Sequence, residues 1–383
     1  MTLSISLNPE FTFIRSDADL QRYVERWRSL DNIFIDTEFM RSNTFYPKPA
    51  LIQVAAGGDY FLIDPLTIKD PEPFAELLID PSVVKVMHAC SEDMELFHTY
   101  LGVLPTPLFD TQIGASFLGY GLSVGYKNLV ATLFDIDLPK GEQRSNWLRR
   151  PLTEQQLAYA VTDVTFLVEI YHSQMAQLNE AGRLAWVLEE CANTVSSLNF
   201  DAPGKLAYQR VKNGFKLTPD ELIVMQALAE WREQEARAKD IPRGFLLKDD
   251  QMIELAQLQP QSITGFLEIS ELSRRIRADG DKVLAIIERA MSSTIEIDPV
   301  TGPLPPAAKS LVKKLQAKVS KIASEHDVAP QLLMNRKTLV KVIHNVINEG
   351  TISLPVELSS WKKVLLGDAI LTLLEQHKES LQP

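Results

Sequence analysis

Two carboxylates stand one residue apart at the end of an apolar run, Ile33-Phe34-Ile35-Asp36-Thr37-Glu38-Phe39. Residues i and i+2 of an extended strand project from the same side, so Asp36 and Glu38 are expected to lie side by side. Unpaired charge is costly to bury, and neighbouring like charges raise each other's pKa. The pair therefore predicts half of a cation site, whereas Asp36 by itself would be typical of a turn or cap.

The bulk composition is that of a globular protein with several domains. The chain has 383 residues, 45% of them apolar and 23% charged, which predicts two or three domains. Its only cysteines, Cys90 and Cys191, have no CxxC spacing, which argues against a disulfide framework and a zinc finger. The start of the sequence has no signal-peptide pattern, and no apolar run approaches about 18 residues. We therefore expect a cytoplasmic protein that is neither secreted nor membrane-bound.

Charge is distributed unevenly along the chain. The net charge is −11, yet residues 1–200 hold 14 basic and 26 acidic residues, whereas residues 301–383 hold 11 basic and 7 acidic ones. An acidic first half suits cation binding, and a more basic end is compatible with substrates that carry phosphates.

The first half alternates between strand and helix patterns. A helical pattern precedes the strand at 33–36, and two apolar runs around Gly57-Gly58-Asp59 predict an antiparallel hairpin. Another strand, 83–88, leads into a helix that contains Asp93 and for which Ser91 is a plausible N-cap. These patterns predict a mixed α/β domain.

A long helix is predicted after Pro151. Thr153 and Gln156 form a capping box, and the helical pattern continues to about Leu178. Tyr159 and Asp163 are four residues apart in it and share one face.

The second half has a helical pattern and an internal repeat with an offset of 87 residues. Asp240-Ile241 matches Asp327-Val328, and Gly280-Asp281 matches Gly367-Asp368. The segment 298–306, rich in Pro and Gly, is a linker. We predict an α/β domain at 1–203 and two all-α domains at 204–297 and 298–383.

Four acids thus occupy positions from which they could bind a cation: Asp36 and Glu38 at a strand end, Asp93 near the start of a helix and Asp163 within a helix. Mg²⁺ and Mn²⁺ prefer carboxylate oxygens, and two such ions roughly 4 Å apart cleave phosphodiesters in many enzymes. Taken singly, Asp93 could merely favour the helix dipole, Asp163 could be a solvated helix residue, and Tyr159 could belong to the core. His88 has no second His at ligand spacing and is more typical of a structural residue.

In combination these motifs resemble a known family. Asp36-Thr37-Glu38, then Asp93 within the segment 88–97, then Tyr159-x-x-x-Asp163 resemble the three motifs of the DEDD superfamily of 3′-to-5′ exonucleases, in its tyrosine-bearing branch. The segment Trp147-Leu148-Arg149-Arg150-Pro151-Leu152-Thr153 resembles the ribonuclease D family more closely, and the helical repeat resembles HRDC modules.

The resemblance implies a ribonuclease H-like nuclease fold in which the four acids hold two divalent ions, Mg²⁺ or Mn²⁺. We then expect Asp36 to bridge the ions, Glu38 and Asp163 to serve the ion that activates water, and Asp93 to act mostly on the other ion through water. Tyr159 would orient the attacking water by a hydrogen bond, since a phenol is a weak base near neutral pH. The products would be nucleoside 5′-monophosphates.

Substrate contacts are expected in three places. The residues after the first motif, Phe39, Met40, Arg41 and Tyr46, could stack on a terminal base or meet a phosphate, although Phe39 and Tyr46 could equally be core. A basic cluster, Arg144, Arg149 and Arg150, is predicted to contact the RNA backbone, with a solvated loop as the alternative. A lysine series, Lys309, Lys313, Lys314, Lys318 and Lys321, has helical spacing and is either an RNA contact or a solvated face.

The favoured function is a metal-dependent 3′-to-5′ exoribonuclease that trims structured RNAs, above all tRNA precursors with 3′ extensions, as the resemblance implies. The alternatives are a DNA exonuclease with the same chemistry and a catalytically inactive RNA-binding protein. A helicase is disfavoured because the chain has no GxxxxGK[ST] loop. We expect no protein partner.

Overall fold

A computed structural model describes residues 9–138 and 141–381. It contains two compact units. The first comprises the described parts of Met1–Met40, Pro47–Leu198 and Pro305–Pro383, and the second comprises Arg41–Tyr46 and Asn199–Leu304. The compact units therefore divide the chain differently from the three predicted segments, because residues 305–381 group with the first unit. The three-domain division stays a prediction.

A six-stranded mixed sheet is the centre of the first unit, in the order β1-β4-β3-β2-β5-β6. Its strands are β1 (Thr12–Ile14), β2 (Asn32–Met40), β3 (Lys48–Ala56), β4 (Asp59–Ile63), β5 (Val84–Met87) and β6 (Leu108–Asp110). β3 is antiparallel to β2 and to β4, whereas β5 runs parallel to β2. The predicted hairpin is confirmed: β3 and β4 are joined by Gly57 and Gly58, and both have positive φ, which glycine adopts without steric cost.

The described residues of the first unit, up to Leu198, contain seven helices: α1 (Asp17–Trp27), α2 (Glu72–Ile79), α3 (Ser91–Leu101), α4 (Thr111–Phe117), α5 (Tyr126–Phe134), α6 (Glu154–Glu180) and α7 (Leu184–Ser197). The capping box is confirmed, because the Thr153 side chain accepts from the Gln156 backbone while the Gln156 side chain accepts from Thr153. The predicted N-cap of α3 was wrong by one residue: Ser91 is already helical, and Cys90 is the cap.

The second unit is helical, with α8 (Pro219–Ala238), α9 (Arg243–Leu246), α10 (Asp249–Leu258), α11 (Ile263–Leu267), α12 (Arg274–Ala278) and α13 (Gly280–Met291). Short 3₁₀ turns at Gly204–Arg210 and Gly214–Lys216 precede α8. Gly280 begins α13 where a Cβ would lie 2.6 Å from Ile263 Cδ1 and 3.0 Å from Phe266, so a larger residue there would have to displace the Ile263 side chain.

Residues 305–381 contain α14 (Pro306–Glu325), α15 (Pro330–Leu333), α16 (Arg336–Glu349), α17 (Ser360–His377) and a 3₁₀ turn, Glu379–Leu381. The 87-residue offset predicted from sequence recurs in the backbone. α14, α15 and α16 begin 87 residues after α8, α9 and α10, and the paired turn residues Asp240 and Asp327 have φ of 47° and 50°. The repeat is therefore structural, although Gly367, unlike Gly280, makes no close approach.

The start of α17 packs on α7 within the first unit. The indole rings of Trp361 and Trp186 stack with centroids 4.7 Å apart, and Phe117 meets Trp361 edge-on at 5.5 Å. The Glu190 carboxylate accepts from Trp361 Nε1 at 2.9 Å and from Lys362 Nζ at 2.6 Å. An aromatic stack with a satisfied buried indole N–H joins residues 305–381 to α7 of the first unit.

We expect Trp361→Ala to destabilise the first unit by about 3–5 kcal/mol, because it removes a buried aromatic side chain and leaves a cavity. The measurement is the midpoint of thermal and urea unfolding. Val364→Ala on the same helix is the matched control, since Val364 is 82% exposed and its truncation should change stability by less than about 0.5 kcal/mol. Equal midpoints for the two variants would contradict the role given to the stack.

Candidate active site

The sheet and α6 bring the first and third motifs together. Phe34, Asp36 and Glu38 alternate on one face of β2, and Phe34 contacts Tyr171 of α6, so this face looks toward α6. Asp36 and Glu38 therefore project toward Asp163 on the same helix, and the three carboxyl groups interact electrostatically. The pairing of β2 with β3 shifts register between Glu38 and Phe39, and such bulges commonly lie beside active sites.

Asp93 joins the site from the first turn of α3. Its side chain is 8% exposed, and the Thr37 hydroxyl donates a hydrogen bond to its carboxylate. Thr37 lies between the two acids of the first motif but points away from their face. It thus couples β2 to α3, a role that the sequence reasoning did not assign to it.

Burial raises the pKa of all four carboxyl groups. For Asp36 the next causes are the charges of Asp163 and Asp93, and the pKa of Glu38 rises to about 9 through burial and then the charges of Asp36 and Asp93. Burial raises the pKa of Asp93 to about 6 despite the hydrogen bond from Thr37, and it raises that of Asp163 together with the charge of Glu38. Four acids that repel one another in this way form one cluster.

Tyr159 lies one turn before Asp163 on α6 and hydrogen-bonds its carboxylate. Burial, followed by the charges of Asp163, Glu38 and Asp36, raises the pKa of this phenol above its ordinary value. The phenol therefore keeps its proton near neutral pH and acts as a hydrogen-bond donor. Gln143, from the loop before α6, hydrogen-bonds Tyr159 and is a second contact that sequence reasoning missed.

A cavity of about 190 Å³ adjoins Tyr159 and Asp163. It lies between α5, the loop that carries Gln143, and α6, and Tyr126 also lines it. The Tyr126 hydroxyl donates to Thr162 O at 2.9 Å, and burial raises the pKa of this phenol. No spacing rule connects Tyr126 to the motifs, since only the packing of α5 on α6 brings it there.

The donor set fits hard divalent cations, because it consists of carboxylate oxygens and contains neither thiolate nor imidazole. Within residues 9–138 and 141–381, however, no group of three or more His, Cys, Asp or Glu side chains is already spaced to hold an ion. A bound cation would offset the repulsion among these carboxylates.

The residues predicted to contact substrate lie in different surroundings. Phe39 and Met40 are half-buried in β2, and Arg41 is exposed. Tyr46 packs against the core of the second unit, next to Phe45, whose ring lies under Arg237 and Arg243. Tyr46 is thus partly buried against this core, and its contact with substrate stays a prediction.

Only two of the three arginines near α6 are exposed, Arg144 and Arg149. Arg150 pairs with Asp64, with Nε and one terminal nitrogen 2.7 and 2.6 Å from the two carboxylate oxygens. Its remaining donors reach the carbonyls of Ala50, Trp147 and Arg149. A guanidinium has five N–H groups. All five are therefore used within the protein, which gives Arg150 a structural role, and its contact with the RNA backbone stays a prediction.

Comparison with known proteins gives the same domain types. A family model for 3′-5′ exonucleases matches residues 11–179, and the HRDC domain model matches residues 221–287. A ribonuclease D of Pseudomonas paraeruginosa (strain DSM 24068 / PA7) is 42% identical over 370 residues, which cover 96% of this chain and 98% of that protein. The chain belongs to the ribonuclease D family.

Solved structures agree with this assignment. The crystal structure of Escherichia coli RNase D, described as an exoribonuclease involved in structured RNA processing, matches with a TM-score of 0.88 at 31% identity, covering 96% of this chain and 100% of that one. The catalytic core of RRP6 from Trypanosoma brucei matches with a TM-score of 0.57 at 23% identity, covering 77% and 85% respectively, and shows a likeness of fold alone.

The predicted family, nuclease fold and activity are confirmed: the chain is a 3′-to-5′ exoribonuclease, and RNA is its substrate. Among the described residues, no helix combines the length and the apolar character that crossing a bilayer requires.

Replacing Arg150 by Ala should lower stability by about 3–5 kcal/mol, because Asp64, only 2% exposed, would keep an unpaired buried charge. Urea unfolding measures the loss. Arg149→Ala is the control, and its effect should stay below about 0.5 kcal/mol because the side chain is exposed. Wild-type stability together with a raised KM for RNA in Arg150→Ala would favour the predicted RNA contact.

Proposed function

We propose that this exoribonuclease trims the 3′ ends of tRNA precursors and other structured RNAs by two-metal-ion hydrolysis, releasing nucleoside 5′-monophosphates. The observation that carries the proposal is the convergence of Asp36, Glu38, Asp93 and Asp163, four mutually repelling acids, around a site that Tyr159 also faces. The Escherichia coli relative, described as acting in structured RNA processing, supports the substrate class.

The four acids would hold two divalent ions, Mg²⁺ or Mn²⁺. When bound, such ions supply Lewis acidity that lowers the pKa of water and offsets the negative charge of a phosphodiester. The chain's own contribution is to fix the acids from three elements, β2, α3 and α6, and to keep the Tyr159 phenol protonated. A protonated phenol held against Asp163 can orient the attacking water by a hydrogen bond.

The second unit offers a surface for the RNA backbone. A cavity of about 890 Å³ in this unit is lined by six basic residues, of which Arg232 and Arg243 are paired with Asp249 and Glu233 at 2.8 Å. Arg210, Lys212 and Lys216 are exposed, and the described residues hold no ion pair for them. We propose that these three residues, the phosphate groove, contact phosphates. The Lys309–Lys321 series stays a separate prediction.

We propose that the enzyme acts in the cytoplasm. The burial of both cysteines as free thiols is compatible with a reducing compartment. The sequence alone also left open a DNA exonuclease and an inactive RNA-binding protein, and the following assay includes a test of each.

The Asp36→Ala and Asp163→Asn variants should fold and lose activity at least about 100-fold. Mutating a residue that only hydrogen-bonds a metal ligand already lowers metal affinity or activity about 10–100-fold, and these two residues are expected to be ligands themselves. The assay is a gel with labelled 3′-extended tRNA, unstructured RNA and single-stranded DNA, with Mg²⁺, with Mn²⁺ and with EDTA. We expect stepwise shortening of the extended tRNA, which EDTA abolishes.

Asp135→Asn is the matched control for this assay. It removes an exposed carboxylate at the end of α5, where the left-handed backbone accommodates asparagine, so activity should be unchanged. Cleavage unaffected by EDTA would refute the metal mechanism. Preferential digestion of DNA would favour the DNA exonuclease, and RNA binding without cleavage would favour the inactive protein.

The double variant Lys212→Ala/Lys216→Ala should raise KM for RNA and leave kcat unchanged. Each phosphate contact to a single strand contributes about 0.7 to the slope of log affinity against log salt, so the slope should fall by about 1.4. Salt-dependent binding of RNA to the EDTA-treated protein measures it. The control Arg22→Ala/Arg26→Ala removes two exposed cations from α1, and an equal effect there would mean that only net charge matters.

A further inference from the structure

Gln53 in β3 is a buried amide without a hydrogen bond. Its side chain is 0% exposed, and neither Oε1 nor Nε2 has a partner among the described residues. Leaving a buried polar group unpaired costs about 1–3 kcal/mol, and native proteins rarely keep such a group without a use. An apolar residue at this position would fit the surrounding sheet at lower cost.

Strand register places Gln53 beside the first acid of the site. In the antiparallel pair of β2 and β3, Asp36 lies directly opposite Gln53. Directly opposite residues project from the same face of a sheet, with Cβ atoms about 4.5–5.5 Å apart. This is the face that looks toward α6, so the Gln53 side chain shares the interior in which the four carboxylates converge.

Within the described residues Asp36, like Glu38, lacks the side-chain hydrogen bond that Asp93 and Asp163 have. Asp93 accepts a hydrogen bond from the Thr37 hydroxyl, and Asp163 accepts one from the Tyr159 hydroxyl. For Asp36 the described residues supply a backbone hydrogen bond at Thr37 and no side-chain donor. A buried amide without a partner thus stands opposite a carboxylate without a side-chain donor.

We propose that Gln53 is a positioning residue of the metal site, whose Nε2–H group donates to the Asp36 carboxylate and fixes the orientation in which that carboxylate receives a divalent ion. The inference rests on the proposed metal-dependent function. Partners that hold the ligands of a metal are worth about 10–100-fold in metal affinity. The donated hydrogen bond also gives the buried Nε2 group of Gln53 a partner, and so lowers the cost of the unpaired amide when the site is loaded.

The test replaces Gln53 by Met, which has a similar length and no hydrogen-bonding amide, in the full-length protein. Titration calorimetry with Mn²⁺ alone measures the affinity, and we expect it to fall about 10–100-fold. The melting temperature of the EDTA-treated protein should be unchanged or higher, because an unpaired buried amide has been replaced by an apolar group. In assays, kcat at limiting Mn²⁺ should fall, KM for RNA should not change, and excess Mn²⁺ should restore part of kcat.

Gln174 on α6 supplies a matched control. It is also 0% exposed and also has an unpaired Oε1, but its Nε2 donates to Thr111 O at 2.9 Å, eleven residues beyond Asp163. Gln174→Met should therefore lower the melting temperature and leave Mn²⁺ affinity unchanged. For Gln53→Met we expect the reverse: a lower Mn²⁺ affinity and an unchanged or higher melting temperature. A glutamine with a purely structural role would not give this combination.

Gln53→Leu repeats the test in case methionine disturbs the fold. Mn²⁺ affinity within twofold of wild type in either folded variant overturns the proposal. A loss of melting temperature in both variants equal to that of Gln174→Met also overturns it. Asp36→Asn separates this failure from that of the proposed function: if it abolishes Mn²⁺ binding while Gln53→Met does not, the metal site stands and only the role of Gln53 falls. Absence of Mn²⁺ binding by the wild type would overturn both.

Discussion

The repulsion among four carboxylates is the constraint that the nuclease unit is built to withstand. Burial and mutual charge raise the pKa of Asp36, Glu38, Asp93 and Asp163. Keeping these carboxyl groups together is unfavourable, and other contacts in the unit must compensate for it. The support is apolar packing: Leu51 and Leu62 of the sheet form one core with Trp147 of the loop before α6 and with Ala160 and Val161 of α6. The hydrophobic contacts offset the repulsion and leave a site that a cation would stabilise.

The loop before α6 is held by polar contacts instead. Arg150 ties its end to Asp64 and to the carbonyl of Ala50, and the Trp147 indole donates to Glu142 O at 3.1 Å. These contacts place Gln143 next to Tyr159. The basic cluster near the third motif therefore divides its roles, since Arg150 builds the loop whereas Arg144 and Arg149 stay exposed.

The two helical repeats share the positions of their first three helices but differ in the contacts that their last helices make. Their first three helices begin at positions 87 residues apart, and both use a left-handed Asp at the same turn. The later helices differ: Gly280 permits a close approach in α13, whereas α17 begins with Trp361 and packs on α7. The apolar pattern determines the common helices, and a few side chains at the ends determine what each repeat contacts.

Local signals in the sequence determined the strand with Asp36 and Glu38, the capping box at Thr153, the hairpin at Gly57-Gly58 and the helical repeat, because each depends on residues close together in the chain. Resemblance to a family identified Asp93, Tyr159 and Asp163 as partners. Only the tertiary structure brought Thr37 to Asp93, Gln143 and Tyr126 to Tyr159, Arg150 to Asp64, and Gln53 opposite Asp36. These contacts depend on strand register and on the packing of distant elements, and no spacing along the chain encodes them.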